Sequence, residues 1–176
     1  MTRLLLAMIG LVLASCAPSD RDLLAGPNAV QHLAEGRPVD IPAALAVPIQ
    51  AAGPFSPRWD LVLPGRRAAF RVSGPRPTFL SIYPGPEIRL FSLEVGTDHD
   101  DRNLKAEVSM DGLKLRLKFR RGVEIELEVS REGDSLYRVT PRGPLPPGEY
   151  AFMSQVDAEL WGKYPQKARL YSFGVD

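Results

Sequence analysis

Along most of the chain apolar and polar residues alternate singly, and glycine or proline interrupts the alternation every few positions. From Trp59 onward this period of two predicts short strands over Asp60–Leu63, Ala68–Val72, Thr78–Tyr83, Ile88–Val95, Ala106–Met110, Leu113–Arg120, Val123–Ser130, Leu136–Thr140, Glu149–Ser154 and Ala168–Val175. The breaks fall at Pro64-Gly65, Gly74-Pro75, Pro84-Gly85-Pro86, Asp111-Gly112, Gly133-Asp134 and Pro146-Pro147-Gly148. No segment after residue 58 holds a helical period over about 11 residues. Short strands with turn signals between them predict an all-β domain, an antiparallel sandwich.

The most regular alternation lies in Leu113–Phe119 and Val123–Val129. Opposed residues of an antiparallel pair share a face, so a hairpin of these two runs has a derivable register. A three-residue loop, Arg120-Arg121-Gly122, sets Phe119 opposite Val123, Leu117 opposite Ile125, Leu115 opposite Leu127 and Leu113 opposite Val129. The other face then carries Lys118 with Glu124, Arg116 with Glu126 and Lys114 with Glu128. Gly122 supplies the left-handed residue of such a loop. The charged ladder reads as a solvated face.

Leu145-Pro146-Pro147-Gly148-Glu149-Tyr150 resembles the Leu-x-Pro-x-x-Tyr stretch at the tyrosine corner of fibronectin-III and related immunoglobulin-like domains. The resemblance implies an immunoglobulin-like sandwich in which the Tyr150 hydroxyl bonds backbone just upstream.

The N-terminal pattern is different. Arg3 precedes an apolar run from Leu4 to Leu13, too short for the roughly 20 residues that span a bilayer and of the length of a signal-peptide core. Leu13-Ala14-Ser15-Cys16 follows, with the chain's only cysteine. This stretch resembles the lipobox of bacterial lipoproteins. The resemblance implies a signal peptide over 1–15, a diacylglyceryl thioether on Cys16 and cleavage that makes Cys16 the mature N-terminus. It also implies a lipid-anchored protein of the bacterial envelope. Ala17 in place of an aspartate points to the outer membrane, facing the periplasm, if the cell is Gram-negative.

Residues 16–58 form the expected second region, a lipidated N-terminus and tether. Prolines at 18, 27, 38, 42, 48, 54 and 57 predict an extended, Pro-rich spacer ahead of a sandwich domain over 59–176. Within it, Asn28 is placed to cap a short helix over Ala29–Glu35 that Gly36 would stop. The apolar stretch Ile41–Gln50 is the part expected to dock on the domain as an edge strand.

Charge and chemistry narrow the function. The chain of 176 residues has a net charge of +1, and the single excess is Arg3. A balanced chain without basic-aromatic interleaving excludes a nucleic-acid footprint. One cysteine forms no internal disulfide. Nucleophile and phosphate-cradle motifs are absent. Only His32 and His99 offer an imidazole, and His32 reads as incidental. Asp98-His99-Asp100-Asp101 is the one dense polar cluster, with Asp98, Asp100 and Asp101 as metal-ligand candidates, but it fails the EF-hand template at Arg102, Asn103 and Ser109. The long connection Gln155–Lys167 carries Trp161, Lys163 and Tyr164, residue types that anchor interfaces. The expected function is therefore a lipid-anchored module that binds a protein partner in the envelope, without catalysis or cofactor. A periplasmic carrier for a lipid or other apolar ligand is the alternative, and a metal-dependent enzyme on residues 98–101 stands third.

Overall fold

The computed structural model describes residues 29–51, 58–111, 114–119, 123–155 and 168–176. Strands begin earlier than the alternation after Trp59 suggests. In chain order they are β1 (Val30–Ala34), β2 (Arg37–Asp40), β3 (Ala43–Leu45), β4 (Val47–Ala51), β5 (Arg58–Pro64), β6 (Arg71–Val72), β7 (Phe79–Ser81) and β8 (Ile88–Val95). Then follow β9 (Asp101–Asp111), β10 (Lys114–Phe119), β11 (Glu124–Ile125), β12 (Leu127–Arg131), β13 (Tyr137–Pro141), β14 (Gly148–Ser154) and β15 (Arg169–Val175). A single turn of 3-10 helix covers Gly85–Glu87. Among the described residues no helix is long and apolar enough to cross a membrane.

Residues 29–51 are not a free spacer. The expected helix over Ala29–Glu35 is a strand, β1, paired with β2 and β7. Glu35 and Gly36 both take positive φ, 49° and 78°, as a two-residue hairpin turn between twisted strands requires. The glycine that reads as a helix stop is equally suited to that turn. Val30 and His32, on one face of a strand, reach the core side by side with Phe79. The stretch from Ile41 docks as expected: β3 lies on β15 and β4 on β5. The domain therefore extends back at least to Ala29, and Arg58 already belongs to β5.

Two sheets result. The smaller has the order β12-β13-β7-β1-β2. The larger runs β3-β15-β14-β8-β9-β5-β4, with β10 on β9, β11 on β8 and β6 on β15. Among the described residues all pairings are antiparallel except β6 with β15. The sheets pack face to face as a sandwich. Between them sit Val30, Phe79 and Val139 from one side and Leu90, Tyr150, Phe152, Tyr171 and Phe173 from the other. Phe79 meets Phe152 edge-on at 4.8 Å and Phe173 at 4.9 Å, centroid to centroid.

The larger sheet has a second buried face. Its two end strands, β3 and β4, are separated only by Ala46, whose N–H donates to Ala168 O at 3.0 Å. The sheet therefore closes on itself, one bent strand serving both ends. Inside the ring lie Ala46, Leu61, Leu63, Phe91, Leu93, Leu104, Ala151, Met153 and Leu170. Strands β8, β14 and β15 are thus covered on both faces, which is why residues 148–154 and 169–175 read as nearly continuous apolar runs.

The expected hairpin of 113–119 with 123–129 does not form. β10 pairs with β9, Leu115 opposite Met110 and Phe119 opposite Ala106. β11 pairs with β8, Glu124 opposite Phe91, and β12 with β13, Val129 opposite Val139. The run is strictly alternating, yet it leaves one sheet for the other at Glu126. Its glutamates meet arginines from three other segments: Arg89 with Glu124, Arg142 with Glu126 and Arg76 with Glu128. Alternation defined the faces; it carries no information on which neighbour completes the ladder.

Candidate functional site

The crossing at Glu126 opens a seam between the sheets. There the 3-10 turn, the start of β8, the segment 124–129 and Gln155 enclose a groove of about 780 Å³. Ile125, Leu127 and Val129 are half-buried and pack against the inter-sheet core, forming its floor with Ile88. Gly85 brings the turn close: a Cβ there would lie 3.3 Å from Val129 Cβ.

The rim is charged. Arg89 donates Nε–H and Nη2–H to the two Glu124 carboxylate oxygens at 2.7 and 2.6 Å, a bidentate fork, while its guanidinium lies 5.1 Å from the centroid of the Phe91 ring. Arg142 Nη1 pairs with Glu126 at 2.9 Å, both exposed, so that pair adds little stability and leaves a polar edge. An apolar floor inside a rim of satisfied charges is the anatomy of a binding interface. Its carboxylates are held in ion pairs, and among the described residues no nucleophile lines it.

Of the residues singled out from sequence, Cys16, Trp161, Lys163 and Tyr164 lie outside the described residues. Gln155, the last described residue before 156–167, lines the groove. Asp98, Asp100 and Asp101 occupy the turn between β8 and β9 and do not converge. Asp100 Oδ1 accepts the Arg66 backbone N–H at 2.9 Å, and Asp101 Oδ1 accepts from Asn103 Nδ2 at 3.0 Å. Gly96 is closed over this turn, since a Cβ would meet Asp101 Oδ1 at 2.2 Å. Among the described residues no three His, Cys, Asp or Glu side chains are placed to hold a metal. The Asp100 and Asp101 carboxylates brace the turn. His32 lies against Phe70 and Phe79, and burial lowers its imidazole pKa below 6.5.

One constellation escapes sequence reading. Arg71 on β6, Gly174 on β15 and Glu149 on β14 stand in one row across three strands. Arg71 reaches over Gly174 and donates Nη1–H to Glu149 Oε1 at 2.5 Å and Nη2–H to Asp176 Oδ1 at 2.6 Å. Glu149 Oε2 accepts the Ala68 N–H at 2.6 Å and faces Arg102 Nη1 at 3.5 Å. Arg102 also caps Gly65 O and Pro64 O. Glu149 and Arg102 are only 6% and 5% exposed. They point the same way as Ala151 and Leu104, so they plug one mouth of the ring. The hydrogen bond to Asp176 raises the Arg71 pKa further and holds the Asp176 carboxyl below its ordinary value. Burial lowers the Arg102 pKa against the pull of Glu149. Gly174 and the arginines gave no local signal because their partners are far apart in sequence.

At the corner before β14 the Tyr150 hydroxyl donates to Pro146 O at 2.7 Å, and the ring stacks on Phe173 at 5.6 Å. No family model matches the chain, and no curated protein sequence matches it either.

Proposed function

We propose that this chain is a lipid-anchored protein of the bacterial envelope whose β-sandwich binds a protein partner through the seam groove. The anchor rests on Leu13-Ala14-Ser15-Cys16, with lipid on Cys16. Two or three acyl chains hold a protein stably without a spanning helix, each buried CH₂ contributing about 0.8 kcal/mol. Binding rests on one observation: the apolar floor of Ile88, Ile125, Leu127 and Val129 inside the rim of Arg89–Glu124 and Glu126–Arg142. Trp161, Lys163 and Tyr164 belong to the segment that follows Gln155, and this reading makes them contact residues for the partner. An immunoglobulin-like kinship is part of the proposal, supported at one corner by the Tyr150–Pro146 bond. The carrier alternative is disfavoured by what fills the space between the sheets, where Phe79, Phe152 and Phe173 are in mutual ring contact.

Two measurements test it. Mass spectrometry of the mature N-terminus is expected to find acyl chains on Cys16, and their absence would refute the anchor. A photo-crosslinker at Glu126 in living cells is expected to capture a defined envelope protein, whereas one at Asp134, in the turn between β12 and β13, is not. Equal capture at both positions, or capture that survives deletion of Trp161–Tyr164 undiminished, would refute the respective contact.

A further inference from the structure

The strand that closes the ring is apolar on both faces. Its inward residues Ala44 and Ala46 pack on the ring's core. Its outward residues, Leu45, Val47 and Ile49, are 60%, 58% and 50% exposed. These three alternate positions make a ridge roughly 13 Å long at about 3.3 Å per residue, widened by half-buried Val62 opposite Val47. The rest of the ring's outer surface along β8, β14 and β15 is covered by the small sheet; this stretch is not. Arg169, the cross-strand neighbour of Leu45, faces the same side and makes no ion pair among the described residues. Asp60 stands opposite Ile49 at the other end and is already engaged within the fold.

We propose that this ridge rests on the bilayer, with Leu45, Val47 and Ile49 in the headgroup layer and the Arg169 guanidinium at lipid phosphate. The inference rests on the anchoring reading of Cys16. Twelve residues lie between Cys16 and Ala29, so the domain cannot stand more than about 45 Å from the anchored cysteine. The anchored chain enters the fold at β1, where Ile41 N–H donates to Val30 O at 3.1 Å, and Leu45 lies four residues, at most about 14 Å of chain, beyond Ile41. Three side chains make a contact too weak to recruit a free protein, but a tether this short makes it intramolecular and raises its effective concentration greatly. An apolar strip ending in a cation that makes no ion pair among the described residues is chemically matched to an anionic lipid surface.

The test uses the full-length, lipidated protein in vesicles of phosphatidylethanolamine and phosphatidylglycerol. Because Cys16 is the sole cysteine and is acylated, Val47→Cys provides a single free thiol for nitrobenzoxadiazole, and Ser135→Cys provides the control on the small sheet. Headgroup-level doxyl lipid is expected to quench the probe at 47 several-fold more than at 135. Leu45→Ser with Ile49→Thr, at exposed positions, is expected to abolish that difference while the protein stays on the vesicles. Equal quenching at both positions on vesicle-bound protein overturns the orientation and leaves the anchor standing. Protein left in the supernatant overturns the anchor and this inference together. A blue shift at 47 that needs no vesicles and grows with protein concentration assigns the ridge to a second copy and overturns the lipid contact.

Discussion

Gly174→Ala tests the plug most directly. Gly174 does not have a positive φ, so alanine brings no backbone strain; it brings a collision. Its Cβ would stand 1.5 Å from Arg71 Nη1 and 2.1 Å from Cζ. The guanidinium must leave the row and give up Glu149. Removing one partner from a buried pair costs about 3 to 5 kcal/mol. Here the lower end applies, because Ala68 N–H and Arg102 still face the carboxylate. The outer bonds to Asp176 are solvent-exposed and add little. The expected loss is therefore about 3 kcal/mol by urea unfolding. Arg71→Ala should cost a similar amount, and Gly174→Ala in that background less than about 0.5 kcal/mol, because nothing remains to displace. Equal costs for Gly174→Ala in both backgrounds would refute the reasoning, as would a loss below about 1 kcal/mol in the native one.

Tyr150→Phe keeps the ring on Phe173 and deletes the bond to Pro146 O, so a loss of about 1 kcal/mol in urea titration is expected. Phe79→Ala removes the ring that links the two sheets and should cost about 3 to 5 kcal/mol by the same measurement, since Phe79 is fully buried. His32 binds its proton less readily folded than unfolded, so its contribution is complete above pH 6.5 and declines as pH falls through the lowered folded value. His32→Phe is expected to flatten that part of the stability–pH profile, and an unchanged slope would reject the assignment.

Strand positions were legible wherever one face meets solvent or a core at period two. Ile88–Val95 coincides with β8, and 148–154 and 169–175 are recognisable from their apolar runs. What the pattern could not carry was partnership. Leu113–Phe119 and Val123–Val129 alternate in step, but Lys114 pairs with Asp111, and β10 goes to β9 instead. Prolines at 38, 42 and 48 suggested a spacer, yet all three fall within or beside strands, where a missing N–H is tolerated at positions without a ladder bond. The groove was invisible for the same reason: its floor is a run that alternates normally, and only the change of sheets at Glu126 exposes it. The plug joins Ala68, Arg71, Arg102, Glu149 and Gly174, which no local spacing connects.

Ring closure has a consequence for the order of folding. The strand formed by β3 and β4 is completed on one side by β5, a few residues downstream, and on the other by residues 169–171, far downstream in the chain. A chain made, or threaded through a membrane, from its N-terminus can form the β4–β5 and β8–β9 pairs early. It cannot seal the ring or bury Ala46 and Leu170 against each other until β15 has arrived. β14, the central strand of that interior, also lacks β15 as a partner until then. Long-range pairing of this kind folds slowly. On the export reading proposed above, a ring that stays open until β15 is in place keeps the chain unsealed for as long as transport lasts.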